Sequence, residues 1–311
     1  MCSHYFIFLL KYSHKAINSK EEWLLKLTHS ILELDWDEVE VKIERFIREY
    51  VKKSKTAGVV LGLSGGIDSS TLAAISARAI GGDKVWCLLL FEQETYNVQD
   101  VKHAKLVARK FKLKTATIDI TPTINAFSKT IPIFDSKDRL CKGNIKARTR
   151  NTYLYYYANK LNLLVCGSSD KSETMIGYFT KWGDIAADIA PLMDLYKTQV
   201  RKLAQHIGVP KEIITKPATP SLWPNQSAEK EIGIKYGTLD LILYGLEHFM
   251  KSEEIAKHLK VKQTLVNNLK CRWLSMEHKR RMPLTAKIQY RTIGFDYRLP
   301  REFATLEEKE A

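Results

Sequence analysis

The sequence predicts an α/β fold: a doubly wound, mostly parallel sheet flanked by helices, with a helical C-terminal part. Three observations carry this. Apart from the leading Lys84, the runs Gly58–Leu63, Lys84–Phe91 and Leu163–Cys166 are continuously apolar, as strands buried on both faces are. Stripes of helical period separate those runs. The segment Ser64-Gly65-Gly66-Ile67-Asp68-Ser69-Ser70 joins the first run to a helix, at the kind of strand end where open α/β sheets bind ligands.

Each element follows in order. Val39, Ile43, Phe46, Ile47 and Tyr50 recur at helical spacing in a charged background, predicting an amphipathic helix beside the first strand. The strand Ala57–Leu63 follows, then a helix from Asp68 to Ile80 that Gly81-Gly82-Asp83 ends. Lys84–Phe91 is a second central strand. Val98, Val101, Ala104, Ala108 and Phe111 form the next helix stripe, with Asn97 as its cap. Lys114–Ile120 reads as a third strand and Pro122–Lys129 as a short helix. Asn144–Leu161 is a long basic helix whose tyrosines (153, 155, 156 and 157) form a core face. Leu163–Cys166 is the fourth strand. Leu195–Ile207 is a helix ended by Gly208-Val209-Pro210. Lys216–Gln226, with three prolines and no period, reads as a loop or lid. The chain is then helical to about Glu277, and a basic tail follows.

The 311 residues are enough for one large domain or two smaller ones. Residues 1–30 read as an N-terminal extension, 31–297 as the domain and 298–311 as a tail. A net charge of +14 favours anionic partners. The five cysteines are scattered with no CxxC pair, which points away from zinc and redox dithiols and toward a reducing, cytoplasmic setting. Tyr5–Leu10 is too short an apolar run to span a bilayer, and no membrane partner is expected.

A Gly-Gly turn entering a helix lets backbone amides approach a ligand without Cβ interference, and amides with a helix N-terminus make an anion site. The loop has no Walker lysine; Asp68 suits a magnesium ion beside a polyphosphate. Gly167-Ser168-Ser169-Asp170-Lys171-Ser172-Glu173 sits at the end of the fourth strand and faces the same crevice, where Glu173 supplies a second carboxylate. The alternative for Glu173 alone is a first-turn acid stabilised by the helix dipole.

Ser64–Ser70 resembles the signature of the ATP pyrophosphatases, which cleave ATP between the α- and β-phosphates to adenylate a substrate. Further motifs narrow the likeness. Gly143-Asn-Ile-Lys-Ala-Arg-Thr-Arg150, Gly177–Asp184, Asp188–Lys197, Leu222-Trp223-Pro224 with Gln226, and Glu277-His-Lys-Arg280 resemble, in order and spacing, the NAD synthetase family. The resemblance runs from about residue 33 to 297. It implies amidation of deamido-NAD through an acyl-adenylate, using ATP, magnesium and ammonia. It implies that Gly62, Leu63, Ser64, Gly65, Gly66, Ile67, Asp68 and Ser69 hold the ATP phosphates, with Ser168, Lys197 and Thr219 as further ATP contacts. Asp68 and Glu173 would be the magnesium ligands and, with Lys197, the catalytic set. Arg148, Lys181, Asp188, His278 and Lys279 match contacts to deamido-NAD. Two departures stand out: Ile185 and Ala186 replace a glycine pair, and Asp170 replaces a common asparagine.

The resemblance also implies a homodimer, and free ammonia or a separate ammonia donor. Two rival readings come from the residues. A tRNA-modifying ATP pyrophosphatase would suit the basic charge, but thiolating members usually rely on paired cysteines. Ser252–Leu269 resembles a helix-turn-helix, though ordinary helix pairs share that spacing, and nucleic acid is not an expected partner.

Overall fold

The computed structural model describes residues 27–298. The expectations for residues 1–26 and 299–311 lie outside them. The fold opens with α1 (Trp36–Lys53), capped by Asp35, whose side chain accepts from the Glu38 amide at 3.0 Å. Four parallel strands follow with helices between: β1 (Gly58–Gly62), α2 (Ile67–Ile80), β2 (Val85–Phe91), α3 (Val98–Lys110), β3 (Lys114–Asp119), α4 (Thr121–Thr130), α5 (Arg139–Leu161) and β4 (Leu163–Val165). The sheet order is β3-β2-β1-β4, all parallel. The order reverses between β1 and β4, which opens a crevice at their carboxyl ends.

The apolar runs serve two faces at once. Val59 and Leu61 of β1 join Ile43, Ile47, Leu72, Ile75, Val200 and Leu203 in one cluster, while Val60 turns to the other face with Leu88, Ala158 and Val165. A period of two within an unbroken apolar stretch is what a sheet covered on both sides demands. The edge strand β3 is the exception: Lys114 and Thr115 are exposed.

Three expectations shift. The amphipathic helix α1 shares a core cluster with Val59 and Leu61 of the first strand, as expected, but packs chiefly on α2, where Arg48 donates to the Ala79 carbonyl (3.0 Å) and Arg78 bonds Glu44 (3.1 Å). Its chief partner is therefore a helix, and Phe46 is left exposed. The long helix α5 begins at Arg139, five residues before Asn144, because Asp138 caps it by accepting from the Cys141 amide at 2.9 Å. On its inner face Tyr153, Tyr155 and Tyr157 pack as expected, but Tyr156 points to solvent.

Beyond β4 the chain forms α6 (Lys171–Ile176), α7 (Lys197–His206), α8 (Lys211–Ile214), α9 (Ala228–Ile232), α10 (Tyr236–Glu247), α11 (Ser252–Leu259), α12 (Gln263–Ser275) and α13 (Glu277–Arg280). These build a second core around Leu239, Ile242, Leu243, Ile255, Val266 and Leu269, which Leu27 and Leu32 also enter. In the pair α11–α12, Lys260 takes the left-handed turn position (φ 52°), and the inward residues Ile255, Ala256, Val266 and Leu269 are core. The end of α12 is tied to the crevice, since Arg272 donates to the Ile176 carbonyl at 3.0 Å.

Candidate active site

The loop from β1 to α2 is braced by its own hydroxyls. Ser64 Oγ and Ser69 Oγ lie 3.0 Å apart, the Gly66 amide donates to Ser64 Oγ (3.2 Å), and Ser69 Oγ donates to the Gly66 carbonyl (3.2 Å). Gly65 is in the left-handed region at φ 77°, and a Cβ there would meet the Asp100 carbonyl oxygen at 2.2 Å. The glycine is required by the close approach of α3, not only by space for a ligand.

The ends of β1 and β4 meet over one ammonium. Lys197 Nζ, wholly buried at the start of α7, lies 2.7 Å from Asp68 Oδ2, 2.6 Å from Asp170 Oδ2 and 2.9 Å from Glu173 Oε1. Glu173 also accepts from the Tyr236 hydroxyl at 3.0 Å. Behind them, the Lys197 amide donates to Ser172 Oγ (2.9 Å), whose hydroxyl bonds Asp240 (2.6 Å), and Asp240 also accepts from the Thr198 amide (2.8 Å). Burial opposes the charge on Lys197, but the three acids hold its ammonium well above the ordinary lysine value. Burial pushes the Asp170 carboxyl well above the usual range; Lys197 opposes this, and Glu173 and Asp68 add to it. Glu173 is raised for the same first reason. Three acids around one cation leave the site short of positive charge.

That shortage suits a metal. Asp68, Asp170 and Glu173 offer oxygens within 4.8 Å of one another. Asp68 Oδ1 is buried with no hydrogen-bond partner among the described residues. An all-oxygen, acidic donor set fits a hard divalent cation.

A cavity of about 820 Å³ opens beside this cluster. Of the residues expected to hold ATP, Gly62, Leu63, Ser64, Gly66, Ile67, Asp68, Ser69, Ser168 and Thr219 line it, and Gly65 and Lys197 do not. Glu173, Arg148, Lys181, His278 and Lys279 also line it, and Asp188 does not. Asp188 instead accepts from the Val165 amide at 2.7 Å. Arg148 donates twice to the Lys181 carbonyl (3.3 and 3.2 Å). Lys279 donates to the carbonyls of Gly177 (2.7 Å) and Phe179 (2.6 Å), and Arg280 to those of Thr174 (2.9 Å) and Met175 (2.7 Å). The C-terminal Glu277–Arg280 turn is thereby stitched onto the chain that carries Glu173.

The loop 216–226 closes one wall. Lys216 pairs with Asp100, and Leu222 and Trp223 rest on Gly143 of α5, where a Cβ would meet each at 3.2 Å. Arg139 lies over the Trp223 ring at 6.0 Å.

The sequence marks Asp170 only as a departure and Arg150, which also borders the cavity, only as part of the basic-helix motif, and it assigns no role to Tyr236 or Asp240. Asp170 carries a readable signal: with Glu173 three residues on, it has the spacing of a helix cap. Its carboxylate does accept from the Glu173 amide, at 2.8 Å. Tyr236 and Asp240 arrive from a helix more than sixty residues away, and no local pattern marks them.

Comparison with known proteins agrees with this geometry. The NAD synthase family matches residues 39–283. The NH(3)-dependent NAD(+) synthetase of Methanocaldococcus jannaschii is 47% identical over 254 residues, covering 81% of this chain and 97% of that protein. That of Aeropyrum pernix is 41% identical over 256 residues, covering 81% and 90%. Among solved structures, the NMN synthetase of Francisella tularensis superposes with a TM-score of 0.73 at 30% identity, covering 82% of this chain and 100% of that one. The NH3-dependent NAD synthetase of Campylobacter jejuni, solved with a nitrate ion, gives 0.69 at 31% identity with the same coverage. The serine-rich turn, the acids at the neighbouring strand end and the family match over most of the chain lead to one conclusion: this chain belongs to the NAD synthase family.

Proposed function

We propose that the protein catalyses the ATP-dependent amidation of deamido-NAD to NAD, with ammonia as nitrogen donor and AMP and pyrophosphate as products. The observation that carries this reading is the meeting of Asp68 and Glu173, from two strand ends, beside the β1–α2 loop at the edge of a nucleotide-sized cavity. The family match disfavours a tRNA-modifying pyrophosphatase.

The chemistry runs in two steps. A nicotinate carboxylate oxygen attacks the α-phosphorus of ATP, the bond to the bridging oxygen breaks, and pyrophosphate leaves. The ammonia lone pair then attacks the acyl carbon, a proton is lost, the acyl C–O bond breaks and AMP leaves. No protein nucleophile is assigned: Cys166, which borders the cavity, packs in the core, with burial raising its thiol. Positioning and electrostatics supply the acceleration.

In this reading the backbone of Gly62–Ser69, with Ser168 and Thr219, grips the triphosphate. Magnesium, held by Asp68 and Glu173, would offset charge on the departing pyrophosphate. Lys197 contributes positive charge from behind those acids. Arg148, Lys181, His278 and Lys279 hold the dinucleotide from the far wall, with Asp188 placing the adjoining loop through its bond to Val165. Residues 31–297 act as one functional unit, two copies form the active dimer, and ammonia is taken free or from a separate donor in the cytoplasm. No helix among the described residues is long and apolar enough to cross a membrane.

The test is a product assay. Protein with ATP, magnesium, ammonium and deamido-NAD should form NAD, AMP and pyrophosphate in equal amounts. Appearance of ADP in place of AMP would refute the assignment. Because one similar structure is an NMN synthetase, nicotinate mononucleotide belongs in the same panel; a higher kcat/KM for it than for deamido-NAD would reassign the substrate. Light scattering showing a monomer under turnover conditions would refute the dimer.

A further inference from the structure

The four charged groups of the crevice are not equivalent. Asp68 and Glu173 border the cavity, with side chains 22% and 21% exposed. Asp170 and Lys197 lie behind them, both 0% exposed, and neither borders it. Asp170 Oδ1 accepts from the Glu173 amide at 2.8 Å, and Oδ2 stands 2.6 Å from Lys197 Nζ. Its carboxylate therefore lies between a backbone donor and the ammonium with no path to water, Oδ2 meeting Nζ as an ion pair and making no hydrogen bond among the described residues. Lys197 is pinned at its other end through Ser172 and Asp240. Asp68 likewise meets Lys197 with one oxygen, which accepts a hydrogen bond from Nζ at 2.7 Å, but its other oxygen, unlike Asp170 Oδ1, is buried and unpartnered among the described residues.

We propose that Asp170 is a positioning residue for the reaction: it is the standing counter-charge of Lys197, which releases Asp68 and Glu173 to take a divalent cation, while its cap on Glu173 aims that second carboxylate at the same point. The proposal rests on reading the crevice as the metal and nucleotide site. A buried ammonium must keep an anion beside it. If Asp68 and Glu173 were its only anions, an arriving cation would compete with Nζ for the same oxygens. With Asp170 in place the ammonium stays paired when the other two turn to the metal. Asparagine at 170 would keep the cap but not the charge, so cap and charge can be separated.

The experiment follows Mn2+ binding to the nucleotide-free protein by the electron paramagnetic resonance of the free ion, with Mg2+ as competitor and thermal melting in parallel. Asp170→Asn should melt near the wild type, yet bind Mn2+ at least tenfold more weakly. Asp170→Ala should show the same weakening and a lower melting temperature, having lost the cap as well. The double variant Asp170→Asn/Lys197→Met removes both charges of a buried pair together and leaves no orphan ion. It should recover Mn2+ binding to the wild-type level or tighter, because nothing then competes for Asp68 and Glu173. Wild-type-like binding by Asp170→Asn would reduce the residue to a cap and overturn the proposal. A double variant that stays as weak as Asp170→Asn would make Asp170 a direct ligand and overturn it too. Absence of saturable Mn2+ binding by the wild type would instead strike at the metal reading of the crevice.

Discussion

Gly65→Ala is the sharpest perturbation of the phosphate loop. A Cβ at Gly65 would sit 2.2 Å from the Asp100 carbonyl oxygen and 3.0 Å from its carbon. Carbon–oxygen contacts settle at about 3.3 Å or more, so the loop or α3 must yield by roughly 1 Å. The backbone is also at φ 77°, where an L side chain costs roughly 1–2 kcal/mol. Strain and displacement together should destabilise the fold by about 2–3 kcal/mol. In a domain of this size that lowers the melting temperature by roughly 4–12 °C. The displaced groups are the amides proposed above to face the triphosphate. An error of about 1 Å there should lower kcat/KM for ATP by about 100-fold. Gly66 is the control. Its φ is −83°, and a Cβ would meet only Ser64 Oγ, at 3.3 Å. Gly66→Ala should cost about 1 kcal/mol or less, and any larger loss of activity without loss of melting temperature would report a Cβ meeting the nucleotide. The assays are circular-dichroism melting and steady-state NAD formation at varied ATP. If Gly65→Ala melts within a degree or two of wild type, or Gly66→Ala falls as far, the argument from α3 is wrong.

Gly143→Ala should raise KM for ATP several-fold with kcat little changed, because Leu222 and Trp223 must shift away from α5 by a few tenths of an ångström; melting temperature should hold or rise, since alanine favours a helix by about 0.5–1 kcal/mol over glycine. An unchanged KM would mean that the 216–226 loop does not close over the nucleotide. Mg2+ at 100 times its Kd should stabilise the wild type by about 2.7 kcal/mol, and Asp68→Asn should abolish most of that shift; an equal shift in the variant would place the ion elsewhere. Glu94 gives a pH test. Burial alone would raise its carboxyl, but Lys142 and Lys146 hold it below its ordinary value of 4.5. A depressed carboxylate contributes stability above that value and loses it as pH falls through the folded-state value. The melting-temperature gap between wild type and Glu94→Gln should therefore be present at pH 7 and close below about pH 4.5; a gap independent of pH would assign the difference to packing.

The sequence alone determined what local physics controls. Apolar runs and helical stripes placed β1, β2 and β4 and the helices between the strands, because burial on both faces leaves a pattern in the chain itself; the partly exposed edge strand Lys114–Asp119 carries no such run. Asn97 was legible as a cap, and its side chain accepts from Gln99 and Asp100 amides at 2.9 and 3.4 Å. The strand-end loops carrying Asp68 and Glu173 were legible too, since a doubly wound sheet brings successive strand ends to one edge. Only the tertiary structure decided which groups stand behind them. It set Lys197, Asp170, Tyr236 and Asp240 into one buried network drawn from two separate helices and the loop before α6, a matter of long-range packing. It also separated Gly65 from Gly66, two residues alike in sequence, by laying the Asp100 carbonyl against one of them. Charge balance in a buried site depends on what the fold brings within about 3 Å, and that distance is written in no local stretch of residues.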